Sequence, residues 1–216
     1  MKNEAGYTKA PLIFGLIFVI LFTHLPVVYT LYYHELTGAP EASGGVMDIT
    51  MISPLKNIVL DGKWEFYWNR LIVTDGRQKD SPDFFIGVPG YWSKYSIDGT
   101  MLPAEGFGSY RLILRGLDHP NPVTVFIPDF GSAYRVFIDG ELTAESGNIS
   151  KNPKEIFTVP KSKIYPVTLS EKEEHEVVIE VASTRFSGLY KAPVLMDYSK
   201  AVKEDGDRTG IRFILF

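Results

Sequence analysis

The clearest structural signal in the chain is YRVFIDGELT, which occupies residues 134–143. From Tyr134 to Ile138 every second residue is Tyr, Val or Ile, and this period of two is typical of a β-strand with one buried face. Asp139 and Gly140 follow, and a two-residue Asp-Gly turn favours a type I′ hairpin because both residues accept positive φ. The stretch therefore predicts an antiparallel β-hairpin.

Runs with the same period lie on both sides of this hairpin, at residues 63–68, 110–115, 123–127, 177–181 and 193–196. Trp64, Phe66 and Trp68 share one face of the first run, which we interpret as core packing. The pattern is weakest between residues 71 and 95, where we expect long loops and one short strand at residues 84–88. No amphipathic helical pattern separates the runs, so the chain is predicted to be all-β, an antiparallel β-sandwich or jelly roll.

The composition allows a large core and excludes several functions. Aromatic residues make up 13% of the 216 residues, and the net charge is −4 at pH 7. A mildly acidic surface argues against nucleic acid and against anionic membrane surfaces as ligands. The sequence contains no cysteine, which excludes disulfides, thiolate metal sites and cysteine nucleophiles.

Residues 11–33 contain no Lys, Arg, Asp or Glu. A helix rises about 1.5 Å per residue, so this run is long enough to cross a hydrocarbon core of about 30 Å. Lys2 and Lys9 precede the run and the next basic residue is Lys56, so the positive-inside rule places residues 34–210 outside the membrane. A cleaved signal peptide with its apolar region at residues 12–22 is the main alternative, and a buried core helix is the other.

These signals divide the chain into consecutive parts. Residues 1–9 are expected in the cytoplasm, and residues 10–33 form the transmembrane anchor or signal helix. Residues 34–52 are rich in Gly, Ala, Ser and Pro and are interpreted as a linker, whereas residues 53–200 form the sandwich. Residues 201–216 are a juxtamembrane segment, and their apolar end is either a final strand or the start of a further membrane helix.

An ordered series of motifs resembles a known family. The motifs are LDGKWEFYW at residues 60–68, VPGYW at 88–92, GFGSYRL at 106–112, SAYRVFIDG at 132–140, and Gly147. Over residues 52–197 this series resembles the exported jelly-roll domain of bacterial seven-transmembrane receptors with diverse intracellular signalling modules. That domain is itself similar to the sugar-binding, galactose-binding-like jelly roll of family 2 glycoside hydrolases. The chain departs from the family at residues 183–189, where an Asn-rich segment with Gly-Gly is expected.

The resemblance implies an extracytoplasmic domain at a bacterial cell membrane that senses a carbohydrate or another small polar ligand. It also implies further membrane helices and a signalling module after residue 216. Ligand would favour one arrangement of the domain against the membrane helices, which shifts a two-state equilibrium. Two other functions stay open: a non-catalytic sugar-binding module of a glycoside hydrolase, and an envelope domain that binds another protein. A homodimer is also left open.

Four residues are candidates for ligand binding. Trp92 lies near Tyr95 in a loop that contains Gly and Pro, and the loops of a sandwich are where binding residues collect. Trp92 has a second interpretation, as a plug over the open end of the sandwich. Arg111 belongs to the Tyr-Arg motif, and its planar guanidinium suits either a carboxylate ligand or a structural salt bridge. Arg185 lies in a loop that contains Gly.

The sequence shows no catalytic or metal-binding constellation. The histidines, at positions 24, 34, 119 and 175, lack the spacing of metal ligands. In the glycosidases that the chain resembles, the catalytic carboxylates lie on a separate barrel that this sequence lacks. We therefore predict that this segment is not an enzyme and that it uses no metal or cofactor.

Overall fold

The computed structural model describes residues 40–52, 57–76, 81–117, 123–186 and 188–197. The regular structure of these residues consists of β-strands and two short 3-10 turns, at Trp92–Lys94 and Pro153–Glu155. The strands are β1 Val46–Asp48, β2 Ile58–Val59, β3 Gly62–Trp68, β4 Phe84–Val88, β5 Ser96–Ile97, β6 Thr100–Met101, β7 Gly106–Arg115, β8 Val123–Ile127, β9 Ala133–Ile138, β10 Glu141–Ser146, β11 Lys163–Val167, β12 Glu174–Ser183 and β13 Val194–Asp197. The all-β class predicted from the alternating runs is confirmed.

The main sheet contains seven of these strands. Six follow the order β10-β9-β12-β7-β3-β4 with antiparallel neighbours, and β1 pairs in parallel with β7. The central strands β7 and β12 pair over their whole length, from Arg115 with Glu174 at one end to Gly106 with Ser183 at the other. The loops that precede and follow these two strands therefore start from the two ends of this long central pair.

A second sheet of four antiparallel strands, in the order β11-β8-β13-β2, packs on the main sheet. One continuous cluster of buried side chains joins the two sheets. Phe66, Tyr110 and Ile179 contribute to it from the main sheet, and Ile127 and Leu195 from the second, each at most 2% exposed. Burial of a side chain of this size stabilises the fold by about 1.5–3 kcal/mol. The predicted sandwich is therefore confirmed.

The predicted hairpin is formed by β9 and β10. Asp139 and Gly140 make the turn with φ of 53° and 85°, and Ile138 pairs with Glu141 across it. Both turn residues therefore adopt the left-handed region, as a type I′ turn requires. The short strand predicted at residues 84–88 is also present, as β4.

Residues 46–48 form a strand of the main sheet, although the sequence pattern places them in a linker. Val46–Asp48 pairs with Ile113–Arg115 of β7, directly beyond Arg111, where the pairing between β3 and β7 ends. The strand thus fills the edge of β7 that β3 leaves free, and Met47 is fully buried there. Val46–Asp48 is only three residues long and follows Gly44 and Gly45, so it carries no period-two signal, and the linker predicted at residues 34–52 includes this strand.

Residues 69–76 cover part of the outer face of the main sheet, where the sequence pattern predicts only a long loop. The Glu180 carboxylate is fully buried and accepts hydrogen bonds from the Val73 and Thr74 N–H groups, both 2.9 Å long, and from Thr74 Oγ1. Ser109 Oγ accepts from Ile72 N–H (3.1 Å) and donates to the Arg70 carbonyl (2.7 Å). Two polar side chains of the sheet therefore fix this loop on it.

Several predictions concern residues outside the described ranges. They are the cytoplasmic residues 1–9, the anchor or signal helix at 10–33 and the juxtamembrane segment at 201–216. Within the ranges that the structure does describe, no helix has the length and apolar character needed to span a bilayer.

Candidate functional site

Three loops from distant parts of the chain meet beside the sandwich core. They are residues 89–95 after β4, residues 129–132 before β9, and the loop after β12, of which residues 184–186 and 188–193 are described. Gly90 N–H donates to the Leu189 carbonyl at 2.7 Å, and Ser132 Oγ donates to the Phe186 carbonyl at 3.1 Å. Hydrogen bonds from one loop to the backbone of another therefore fix the positions of these loops relative to one another.

Trp92 and Tyr110 lie beneath these loops, are fully buried, and are here called the floor. Trp92 begins the 3-10 turn, and its indole Nε1 donates to the Pro103 carbonyl at 2.8 Å. Tyr110 Oη accepts from Leu189 N–H at 3.3 Å, and burial raises the pKa of this hydroxyl well above its ordinary value. A Cβ at Gly188 would collide with Tyr110 Oη and the Trp92 ring. Only glycine therefore allows the loop to close on this floor.

Three aromatic side chains lie on top of this floor: Tyr91, Phe186 and Tyr190, here called the aromatic surface. Tyr91 is 37% exposed and Phe186 is 45% exposed. The rings of Tyr91 and Tyr190 are stacked, with centroids 5.4 Å apart and planes at 19°. Phe186 lies 5.7 Å from Tyr190, and its ring sits so close to Gly131 that a Cβ there would collide with it. The aromatic surface is therefore held by contacts within the loops.

Cationic side chains surround the aromatic surface. Lys94 Nζ is 5.6 Å from the centroid of the Tyr91 ring, and Lys191 Nζ is 5.7 Å from that of Tyr190. Both distances are within the range of cation–π attraction. Partial burial raises the pKa of Tyr190, and the nearby Asp129 carboxylate raises it further. The Tyr190 hydroxyl is therefore a protonated hydrogen-bond donor at neutral pH.

Three of the four predicted ligand-binding residues, Trp92, Tyr95 and Arg185, lie in these loops, and Trp92 and Arg185 differ in their exposure. Trp92 is part of the buried floor, 5.4 Å from Trp68 between ring centroids, so its indole offers no exposed face. Arg185 is exposed and adjoins Phe186. Ligand binding by either residue stays a prediction, and the position of Trp92 favours the plug that the sequence left as its second interpretation.

Tyr95, from the same loop as Trp92, and Arg111 make contacts within the domain. Tyr95 stacks on Phe84 at 5.2 Å with planes at 9°, and its hydroxyl accepts from Gly87 N–H at 2.8 Å. Arg111 lies on the outer face of the main sheet, where it bridges Glu65 at 2.6 Å and Glu176 at 2.5 Å. The structure therefore does not bring Arg111 to the aromatic surface, and its contacts are those of the structural salt bridge.

Sequence reasoning missed the members of the aromatic surface itself. Tyr91 and Phe186 are the direct neighbours of Trp92 and Arg185, so the correct loops were identified. Which of two adjacent aromatic residues faces solvent depends on the loop conformation. Tyr190 carries no local signal, because its stacking partner Tyr91 is about a hundred residues away.

A second depression lies beside the start of β3 and the end of β4. It has a volume of about 260 Å³ and is lined by Glu41, Ala42, Asp61, Gly62, Lys63, Gly87, Val88 and Pro89. Partial burial raises the pKa of Asp61, and the Glu41 charge adds to this. Ligand pockets usually reach about 300–1,000 Å³, so the aromatic surface is the stronger candidate. The described residues contain no group of three His, Asp or Glu side chains that could hold a metal ion.

Comparisons with solved structures identify the fold. A family 2 glycoside hydrolase from Bacteroides cellulosilyticus matches 66% of this chain, with a TM-score of 0.50 and 15% identity. A β-glucuronidase from Ruminococcus gnavus in complex with N1-substituted uronic isofagomine matches 68%, with a TM-score of 0.50 and 11% identity. The β-glucuronidase from Faecalibacterium prausnitzii also matches 68%, with a TM-score of 0.50 and 14% identity.

The matched region is a minor part of each of these enzymes. It covers 20%, 31% and 33% of their respective chains. No protein-family model matches the chain, and neither does any curated protein sequence. At these identities the comparisons establish the fold alone. The similarity to a β-sandwich domain of family 2 glycoside hydrolases, inferred from the motifs, is thus confirmed as a fold, while the receptor part of that resemblance gains no support from them.

Proposed function

We propose that this domain is a non-catalytic carbohydrate-binding module and that the aromatic surface is its saccharide site. The observation that carries the proposal is the clustering of Tyr91, Phe186 and Tyr190 where three loops meet. The fold similarity to a minor part of family 2 glycoside hydrolases supports it as well. These observations favour the sugar-binding module over the receptor sensor that the motifs alone suggest.

The mechanism is stacking of a sugar ring on exposed aromatic carbon. The C–H face of a pyranose is apolar, so each 100 Å² of apolar area that it buries contributes about 2.5 kcal/mol. Because Phe186 is held against Gly131 and Tyr190 against Tyr91, little side-chain freedom is lost on binding. By itself, a contribution of about 2.5 kcal/mol corresponds to weak binding, with Kd on the order of 10 mM.

The same region supports binding rather than hydrolysis. Glycoside hydrolysis ordinarily uses two carboxyl groups that flank the scissile bond. The charge of the Asp129 carboxylate raises the pKa of Tyr190, and Asp129 Oδ1 accepts a hydrogen bond from Gly131 N–H at 2.8 Å. This bond shapes the loop that supports Phe186, so Asp129 has a structural task.

The test is saccharide binding by the full chain and by a variant of the aromatic surface. Phe186→Ala is expected to weaken binding at least about tenfold on a glycan array and in calorimetric titration, with little change in Tm. Phe157→Ala is the matched control because Phe157 is 64% exposed and is not part of the aromatic surface. Equal binding by the Phe186 variant, or no saccharide binding by the native chain, would contradict the proposal.

A second proposal is that this module serves as the extracytoplasmic sensor of a bacterial membrane receptor. It is supported by the uncharged residues 11–33, by Lys2 and Lys9 before them, and by the ordered motifs. On this proposal residues 34–210 lie outside the membrane and carry the ligand site.

Because the chain lacks cysteine, single cysteines can report its orientation. Asn152→Cys, in an exposed loop, is expected to react with a membrane-impermeant maleimide in intact spheroplasts, whereas Lys2→Cys reacts only after lysis. Protection of the cysteine at position 152 until lysis would rule out the sensor.

A further inference from the structure

We infer that the saccharide bound by the aromatic surface is anionic, carrying uronate carboxylates or sulfate esters. This inference rests on the proposed function and specifies its ligand. It is carried by the ammonium groups of Lys94 and Lys191 beside the tyrosine rings, and by the exposed Arg185, which precedes Phe186 in the chain.

Arg185 differs from the other arginines that the structure describes. Arg70 pairs with Asp83 at 2.9 Å, Arg115 with Glu174 at 2.5 Å, and Arg135 with Glu145 at 3.8 Å. Arg111 bridges two glutamates. Arg185 forms no ion pair with any residue of the described ranges, and only its backbone N–H is bonded, to Ser183 Oγ at 3.3 Å. Its guanidinium is thus available for a ligand anion, in a protein of net charge −4.

The two lysines place positive charge beside the rings. Lys94 and Lys191 also lack an ion pair within the described part of the chain, and each ammonium lies within 6 Å of a tyrosine ring centroid. A sugar ring that contacts Tyr91 or Tyr190 would therefore bring its substituents close to an ammonium group. Neutral hydroxyls gain little from such a neighbour, whereas a carboxylate or sulfate gains a charge-assisted hydrogen bond.

The acidic group nearby does not cancel this preference. The Asp129 charge raises the pKa of Tyr190, but Asp129 Oδ1 accepts a hydrogen bond from Gly131 N–H within its own loop. Tyr190 stays protonated, since burial and Asp129 both raise its pKa, so its hydroxyl donates rather than repels. The two ammonium groups beside the rings, with the exposed Arg185 in the same loop as Phe186, outnumber this one carboxylate.

The experiment compares oligosaccharides of equal length and different charge. The full chain is titrated calorimetrically with a neutral galacto-oligosaccharide, an oligogalacturonate and a sulfated galacto-oligosaccharide. At least one anionic ligand is expected to bind about tenfold more tightly than the neutral one, with affinity that falls as ionic strength rises from about 0.05 to 0.5 M. The carboxylated and sulfated ligands then identify which anion is preferred.

Variants separate a specific site from general charge attraction. The Lys94→Gln, Lys191→Gln double variant and Arg185→Gln are each expected to lower anionic binding severalfold and to reduce the preference for the anionic over the neutral ligand. Lys154→Gln is the control, as Lys154 is exposed in the 3-10 turn at Pro153–Glu155. Phe186→Ala is expected to weaken anionic binding as well. If it does not, attraction is purely electrostatic and the inference is wrong.

The remaining outcomes are distinguishable. Equal binding of neutral and anionic saccharides, unchanged in the lysine and arginine variants, overturns the inference and leaves the proposed function standing. Binding of no saccharide overturns both. Binding to vesicles of anionic phospholipid without any saccharide binding also overturns both, and identifies the aromatic surface as a membrane contact.

Discussion

Asp139 combines a backbone role with an electrostatic one. Its φ of 53° forms the hairpin turn, while Oδ1 accepts from Glu176 N–H at 3.0 Å and Oδ2 contacts Nδ1 of the fully buried His175 at 2.8 Å. Partial burial opposes ionisation. The hydrogen bonds from Glu176 and His175, with Lys172 at 3.4 Å, outweigh it and hold the pKa of Asp139 below its ordinary value.

Because the pKa of Asp139 is lowered in the folded state, part of the free energy of unfolding is lost at low pH. The contribution is fully present above the unfolded pKa of about 4 and is lost as pH falls through the lower folded pKa. Asp139→Asn keeps the left-handed turn but loses the charge, so we expect lower stability at pH 7 and a shallower decline in acid. Urea unfolding between pH 2 and 7 measures both.

Asp98→Asn is the matched control for the acid dependence. Asp98 also has positive φ, 50°, and its side chain is exposed. Its replacement is expected to change stability by less than about 0.5 kcal/mol. An unchanged pH profile in Asp139→Asn would show that the contacts with His175 and Glu176 contribute no net stability.

Trp92 illustrates how burial decides the role of a residue that sequence leaves ambiguous. Its ring is fully buried and lies 6.0 Å from Phe66 and 5.4 Å from Trp68. Trp92→Ala is therefore expected to cost about 3–5 kcal/mol of unfolding free energy, measured by urea denaturation. Trp92→Phe retains most of the apolar volume, leaves the Pro103 carbonyl without its donor, and is expected to cost less.

The outcome separates the two interpretations of Trp92. A stacking residue would lose saccharide binding and keep its stability on replacement by alanine. A packing residue loses stability, and the better-folded Trp92→Phe then retains saccharide binding. Native stability of Trp92→Ala would contradict the packing role.

Among the elements, the loop at residues 69–76 depends on one side chain of β12. Glu180 accepts from two backbone N–H groups and one hydroxyl of this loop. Glu180→Ala leaves the Val73 and Thr74 N–H groups without their acceptor. A donor left unpaired away from water costs about 1–3 kcal/mol, and this cost falls mainly on the half-buried Val73 because Thr74 is exposed. We expect destabilisation of that order and faster hydrogen exchange of these two amides.

Two further variants test this attribution. Glu180→Gln keeps an acceptor oxygen and is expected to retain part of the exchange protection. Glu141→Ala removes an exposed glutamate of β10 and is expected to leave the same amides protected. Unchanged exchange of Val73 and Thr74 in Glu180→Ala would show that the hydrogen bonds of Ser109 and the packing of Ile72 hold the loop without Glu180.

The strand β1 allows an equally direct test. Met47 is fully buried in β1, whereas Met51 is 95% exposed three residues beyond its end. Met47→Ala is expected to cost about 2–5 kcal/mol, and Met51→Ala less than about 0.5 kcal/mol, in urea unfolding. Similar small effects at both positions would return this segment to the linker that its composition suggests.

On the scale of the whole molecule, the aromatic surface exists because the sandwich brings distant loops together. Tyr91 follows β4, Phe186 and Tyr190 follow β12, and Gly131 precedes β9. Sequence reasoning chose two of these three loops, through Trp92 and Arg185. It could not choose the exposed residues within them, because neither Tyr91 nor Tyr190 has its stacking partner nearby in sequence.

The limits of the fold prediction have the same origin. Strand β11 contains Pro166, which weakens the sequence signal for a strand. Proline is tolerated there because β11 is the edge strand of its sheet. Arg111 alternates with apolar residues, so its place on the outer face of the sheet was predictable. Its partners were not, because Glu65 and Glu176 lie 46 and 65 residues away.

The amino-acid sequence alone determined the all-β class, the hairpin at Asp139 and Gly140, and the inward-facing row of Trp64, Phe66 and Trp68. These features follow from alternation and turn chemistry, which act between residues close in sequence. Tertiary structure alone decided that β1 joins the main sheet, that Trp92 is buried and that Tyr91 stacks on Tyr190. Each of these depends on which distant segments are adjacent in the folded chain, and local patterns contain no information about that.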